Sequence, residues 1–258
     1  MTGEAPAPVS PSAPPPPPGV RVRLPTYSVR VTYVLLALIG LTFGLQLASE
    51  TLLGRDYVLL LGAKVDEYIA RGELWRLLTP IFIHASLLHI GFNAYALYYL
   101  GRQMETFYGP LRFTLLFFLA GLAGSVVSLL LNPAPSVGAS GAIFGLIGAE
   151  GVLLYRNRRV FGERGRRSLQ NVVVLVVINL VIGLQGGIDN WAHLGGLVGG
   201  LTLGWFIGPL WTLGPEPALG QTPSLTDLQP LAGARWYVVL TFLAGLVVFT
   251  GLGMWMRQ

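Results

Sequence analysis

Six long stretches of this chain carry no charged side chain: Val31–Ser49, Leu77–Gly101, Phe113–Ala149, Ser168–Ile188, Asn190–Pro215 and Trp236–Met256. A helix needs about 20 apolar residues to cross the hydrocarbon core of a bilayer. Backbone can cross lipid only when its polar groups are satisfied internally. Windows this long and this frequent point to an all-α, polytopic membrane helix bundle. The Phe113–Ala149 window is too long for one span and is interrupted by Asn132-Pro133-Ala134-Pro135, so it divides into two. The pattern predicts seven spans, near residues 31–49, 84–103, 111–131, 140–156, 169–185, 191–210 and 236–256.

Composition agrees. Charged residues make 11% of the chain, against roughly 25% in soluble domains, and the mean hydropathy is +0.62. The 34 glycines suit a membrane interior in which helix backbones approach closely. With no cysteine, disulfides, thiolate metal sites and cysteine nucleophiles are excluded.

Residues 1–25 stand apart. They hold nine of the 18 prolines, with Pro14 to Pro18 in one run, and are expected to form a disordered, Pro-rich cytoplasmic tail. Such a stretch can be read by SH3-like domains, but a solvated tail is the simpler expectation. It lacks the apolar core and small-residue cleavage site of a signal peptide. The remaining chain divides into a core at 26–210 with a long outer loop at 50–83, a cytoplasmic linker at 211–235 and a seventh transmembrane helix at 236–258. The outer loop mixes charged and apolar residues, as short interfacial helices do.

Basic residues set the expected orientation. Twelve (Arg21, Arg23, Arg30, Arg102, Arg112, Arg156, Arg158, Arg159, Arg164, Arg166, Arg167 and Arg235) fall on one side of the seven-span pattern, and five (Arg55, Lys64, Arg71, Arg76 and Arg257) on the other. The positive-inside rule puts the N-terminus in the cytoplasm. No transit peptide is evident, and the expected location is the plasma membrane. The basic loop at 156–167 lies between two spans, which argues against a nucleic-acid patch.

Polar residues inside a membrane ask for a reason. All three histidines, His84, His89 and His193, lie in or at the edges of spans. His89 and Asn93 are four apart and share a helix face. Ser140 lies within Gly138-Ala139-Ser140-Gly141, where the Pro-broken loop becomes the fourth span. Free N–H groups at a helix start stabilise negative charge, and flanking glycine admits a close backbone. The sixth span opens with Asp189-Asn190-Trp191-Ala192-His193. Spans four and six run in the same direction, so Ser140 and His193 are at similar depth. Gly141, Gly145 and Gly148 line one of these spans and Gly196, Gly200, Gly204 and Gly208 the other, as small faces that let the two pack tightly.

Three histidines could instead bind a metal, but no carboxylate joins them and HExxH is absent, so no metal is expected. A transporter would predict repeated membrane charges and inverted repeats; Glu150, midway along the fourth span, is the one candidate membrane charge, and no role for it follows.

The combined motifs resemble those of the rhomboid intramembrane serine proteases. They are Trp75-Arg76 in the outer loop, His84-x4-His89-x3-Asn93, Gly101-Arg102-Gln103-Met104-Glu105, Gly138-x-Ser140-Gly141 and Ala192-His193-x-Gly195-Gly196. The resemblance covers roughly residues 30–210. It implies a six-helix core, to which the seventh span adds a six-plus-one form. It also implies a Ser–His dyad, with Ser140 as nucleophile and His193 as general base and then acid. Asn93, His89 and the backbone N–H of Ser140 would hold the oxyanion. His84 would organise the loop, Trp75 and Arg76 would anchor the outer loop in the interface, and Phe144, four residues after the nucleophile, would stack on the imidazole. Tyrosine is frequent there in the family. Asp189 is expected to cap the sixth helix rather than to act as a third triad member. The implied partners are single-pass transmembrane substrates and the lipid bilayer, with no cofactor and no nucleic acid. The substrate helix must unwind locally to expose its carbonyl. An inactive relative that binds transmembrane helices without cutting them is the alternative; the presence of both Ser140 and His193 argues against it.

Overall fold

Seven membrane-length segments are helical, and their ends have local causes. A computed structural model describes residues 26–184, 186–213, 224–233 and 235–258. The expected disordered tail and, of the expected linker, residues 214–223 and 234 lie outside the described residues. Helix α1 (Val31–Leu53) ends at Gly54, whose φ of 74° is left-handed, and its first turn has no side-chain cap of its own. The cap comes from elsewhere: the buried Glu105 carboxylate accepts the N–H groups of Arg30, Val31 and Thr32, each at 2.8 Å, and the Thr32 hydroxyl at 2.7 Å. Three N–H groups left open by the helix start, and a hydroxyl beside them, are satisfied by one anion placed where the helix dipole favours it.

The segment 54–86 folds into short pieces: α2 (Tyr57–Gly62), α3 (Asp66–Ala70) and 3-10 turns at Leu74–Leu77 and Thr79–Phe82. The second span begins with α4 (Leu87–Ala96). Extended Ser86 caps it by accepting the His89 N–H, so the helix starts three residues later than expected and His84 lies outside it. A π turn (Leu97–Gly101) leads into α5 (Arg102–Leu131). Gly109, at φ 76° and followed by Pro110, breaks α5, so that it contains the end of the second span and the whole third. A Cβ at Gly109 would press on the Tyr27 ring as well as strain the turn.

Helices α6 (Ser140–Arg156), α7 (Arg158–Gly183) and α8 (Asn190–Ile207) complete the core. The expected loop at 156–167 is instead largely helical, kinked where Gly162 takes a φ of 55°. Arginine and glutamate are good helix formers, and Glu163 faces Arg166 and Arg167 one turn on, at 4.0 and 3.6 Å. The linker holds an antiparallel ribbon of β1 (Trp211–Leu213) and β2 (Leu225–Asp227), pinned by Arg112 to Asp227 at 2.7 Å. Helix α9 (Arg235–Met256) then crosses back and packs mainly on α5.

Four helical stretches, Val31–Leu53, Leu87–Leu131, Arg158–Gly183 and Arg235–Met256, are long and apolar enough to cross a membrane. The second contains two spans because of its break. The 17-residue α6 and the 18-residue α8 are not among these four; both are glycine-rich and central. They pack on each other and on α5. A methyl group on Gly196 or Gly200 would overlap the carbonyl of Gly141 or Gly145, so the two backbones touch. Gly208 lies one residue past α8, as its C-cap. The result is a polytopic helical membrane bundle with a six-helix core and α9 against its flank.

Candidate active site

Ser140 is the first residue of α6, and the loop before it is held on three sides. Lys64 and Ser136 exchange backbone hydrogen bonds, at 3.0 and 3.1 Å. The Gly138 N–H donates to Pro80 O at 2.8 Å. The buried Lys64 ammonium gathers the carbonyls of Ser128, Asn132 and Ala134. Burial lowers the Lys64 pKa, opposed by hydrogen bonding and attraction to Asp66. Gly138 has a φ of 120°, and a Cβ there would lie 2.6 Å from His89 Nε2. Glycine is required both by the backbone angle and by the imidazole.

His193 lies in the first turn of α8. The Asp189 side chain caps that turn by accepting the Ala192 N–H at 3.0 Å, and its other oxygen accepts the Ser128 hydroxyl. Burial pushes the Asp189 pKa up, but these hydrogen bonds, with Ser136 and Asn132 nearby, outweigh it and hold the carboxyl below its ordinary value. His193 Nε2 is 2.8 Å from Ser140 Oγ. Its Nδ1 has no hydrogen-bond partner among the described residues, so Asp189 serves the helix and not the imidazole. Phe144 lies one turn beyond Ser140 and stacks on His193, with centroids 4.2 Å apart and planes 12° from parallel.

Asn93 and His89 bound the same space from α4. Asn93 is buried, and its amide donates to His89 O at 2.9 Å. The His84 ring meets His89 edge-on at 5.0 Å, and Gln46 of α1 holds its backbone through two hydrogen bonds of 3.1 Å. Trp75 and Arg76 part company. Trp75 is exposed and donates to Leu61 O at 3.1 Å. Arg76 turns inward, 2% exposed, donating to Leu60 O and Ala63 O at 2.9 Å and pairing with Glu73. It braces the outer segment from within instead of anchoring it in the interface, because open carbonyls need a buried donor. Glu150 accepts from Gln103 at 2.6 Å, far from Ser140 along α6.

A polar cavity of about 20 Å³ lies beside Ser140, lined by Lys64, Ser125, Ser128, Ser136 and Gly138. That is about the room one water needs. Among the described residues, no three His, Cys, Asp or Glu side chains are grouped to hold a metal ion. Sequence reasoning passed over Lys64, Ser128 and Gln46. The one available signal was that Lys64 is the only lysine among 17 basic residues.

Comparison with known proteins adds the lineage. The Rhomboid domain family model matches residues 71–210, more than half of the chain. This chain belongs to the rhomboid family. It is 42% identical over 170 residues to the rhomboid protease GluP of Bacillus subtilis, covering 66% of this chain and 33% of that protein. It is 36% identical over 196 residues to RHOMBOID-like protein 1 of Arabidopsis thaliana, covering 71% and 50%. RHOMBOID-like protein 9, chloroplastic, of the same plant is 35% identical over 153 residues, covering 59% and 35%. The chain thus spans a third to a half of these rhomboid relatives.

Proposed function

We propose that this rhomboid is a serine endopeptidase that cuts single-pass transmembrane helices near the membrane face where α6 and α8 begin. The observation that carries the reading is the 2.8 Å contact between Ser140 Oγ and His193 Nε2, with Phe144 stacked on the imidazole. In this reading His193 Nε2 takes the Ser140 proton as Oγ attacks the substrate carbonyl. The resulting oxyanion is met by the Ser140 N–H at the helix start, by Asn93 and by His89. The protonated His193 then gives its proton to the leaving amine as the C–N bond breaks. A water, deprotonated by the same nitrogen, hydrolyses the acyl ester and restores Ser140. The polar cavity beside Ser140 supports a local supply of that water within an apolar bundle. With no carboxylate on His193 Nδ1 among the described residues, the pair acts as a dyad.

We further propose that the arginine-rich ends of α5 to α7 face the cytoplasm of a plasma membrane and that cleavage takes place on the opposite side. The deciding experiment is cleavage of a model single-pass substrate in liposomes by wild type, Ser140→Ala and His193→Ala. Both variants are expected to lose activity by about 10⁴-fold or more with folding intact. Equal cleavage by wild type and Ser140→Ala would sink the reading.

A further inference from the structure

The charges at the site end of the bundle bind one another and the backbone rather than the catalytic pair. Lys64 Nζ lies 3.3 Å from Ser128 O, 3.2 Å from Ala134 O and 2.5 Å from Asn132 O, and 2.6 Å from Asp66 Oδ1. It therefore occupies the carbonyl end of α5, where the helix dipole favours a cation. The other Asp66 oxygen receives Arg257 Nε at 2.9 Å. The same guanidinium donates twice to Leu129 O, at 3.2 and 3.1 Å. Arg257 directly follows α9, and the Lys64 backbone is paired with Ser136, four residues before Ser140. A chain of three charges thus runs from the seventh helix to the loop that delivers the nucleophile.

Anchoring alone would not need this arrangement. Gly253 of α9 already packs against Leu129 and Leu130, and burying ions is costly where apolar contact would serve. What the charges add is direction. Lys64 holds three carbonyls of the 128–134 segment at fixed distances, Asp66 fixes the ammonium, and Arg257 fixes the carboxylate.

We propose that Arg257 is a positioning residue for catalysis: through Asp66 and Lys64 it sets the Asn132–Gly138 loop, and so the placement of the Ser140 N–H and Oγ. The seventh helix then contributes to turnover as well as to membrane anchoring. This inference rests on the protease reading.

The test compares wild type, Arg257→Ala and Arg257→Lys in the full chain, each with its melting curve in detergent. Arg257→Ala is expected to lower kcat about tenfold, short of the hundredfold that a 1 Å misplacement can cost. KM should stay within about twofold, since substrate binding is not what changes. The rate at which a fluorophosphonate labels Ser140 should fall in parallel, and Arg257→Lys should recover most of both. Unchanged kcat and labelling, a loss confined to KM, or a lysine variant no better than alanine would overturn the proposal. Should Arg257→Ala melt below the assay temperature, Arg257→Gln replaces it in the same comparison. Amide exchange of residues 132–140 in a Ser140→Ala background reads the loop with no chemistry involved. Faster exchange in Arg257→Ala, reversed by lysine, is expected, and unchanged exchange overturns the inference. Failure of the protease reading is separate: it appears as Ser140→Ala cleaving as fast as wild type.

Discussion

Phe144 offers His193 a flat face and no hydrogen bond. With Nδ1 unpaired among the described residues, the ring is steered by stacking and by its contact with Ser140. Phe144→Ala should therefore lower kcat by about tenfold, through loss of orientation, while Phe144→Tyr keeps the face and stays near wild type; steady-state kinetics on a model substrate separate the two. Asp189 behaves differently. Its carboxyl is held below its ordinary value, so its stabilising share is complete above the unfolded pKa of about 3.9 and is lost as pH falls through the folded value. The melting temperature in detergent should hold from neutrality to about pH 5 and decline further down. Asp189→Asn, an equally good helix cap, should weaken that acid decline and keep most proteolytic activity; a several-hundredfold loss would make Asp189 part of the catalytic set. Ser140, His193 and Asn93 were legible because glycine context and helical spacing mark them in the sequence. Lys64 was not, because three of its partners are backbone carbonyls, which any residue provides.

Helices α6 and α8 place the two halves of the candidate site, and they can do so only because their backbones touch. Gly200→Ala puts a methyl into the Gly145 carbonyl, and Gly196→Ala puts one into that of Gly141. Each should destabilise the protein by about 1–3 kcal/mol, the usual range for overpacking, and should disturb the Ser140–His193 distance. Gly40 and Gly44 of α1 have open space around the same position, so Gly40→Ala and Gly44→Ala should be neutral or slightly stabilising; thermal melting of the four variants tests the contrast. This packing face was readable as a four-residue glycine repeat. The helical start of α7 was not, since its arginines look like a solvated loop until the Glu163 pairs and the Gly162 kink are seen. The β-ribbon was missed for a related reason: its three-residue strands are too short to show a period of two.

For the whole molecule, the apolar windows foretold the seven-span bundle because lipid leaves so few alternatives. What they could not show is how distant segments finish one another. Glu105, on the second span, completes the first turn of α1. Glu105→Ala leaves three N–H groups and a hydroxyl without their acceptor and should cost about 3 kcal/mol, read as a lower melting temperature with the Ser140 site chemically intact.

The Glu105 cap also bears on the order in which the protein is made. Between 73 and 75 residues separate it from the N–H groups it receives. Helix α1 is therefore incomplete until the second span has followed it into the membrane and turned its far end back. Through that interval α1 has an open end, and a Glu105→Ala chain never leaves that state. Its turnover in a pulse-chase experiment should be faster than that of wild type even at temperatures where the finished protein does not melt.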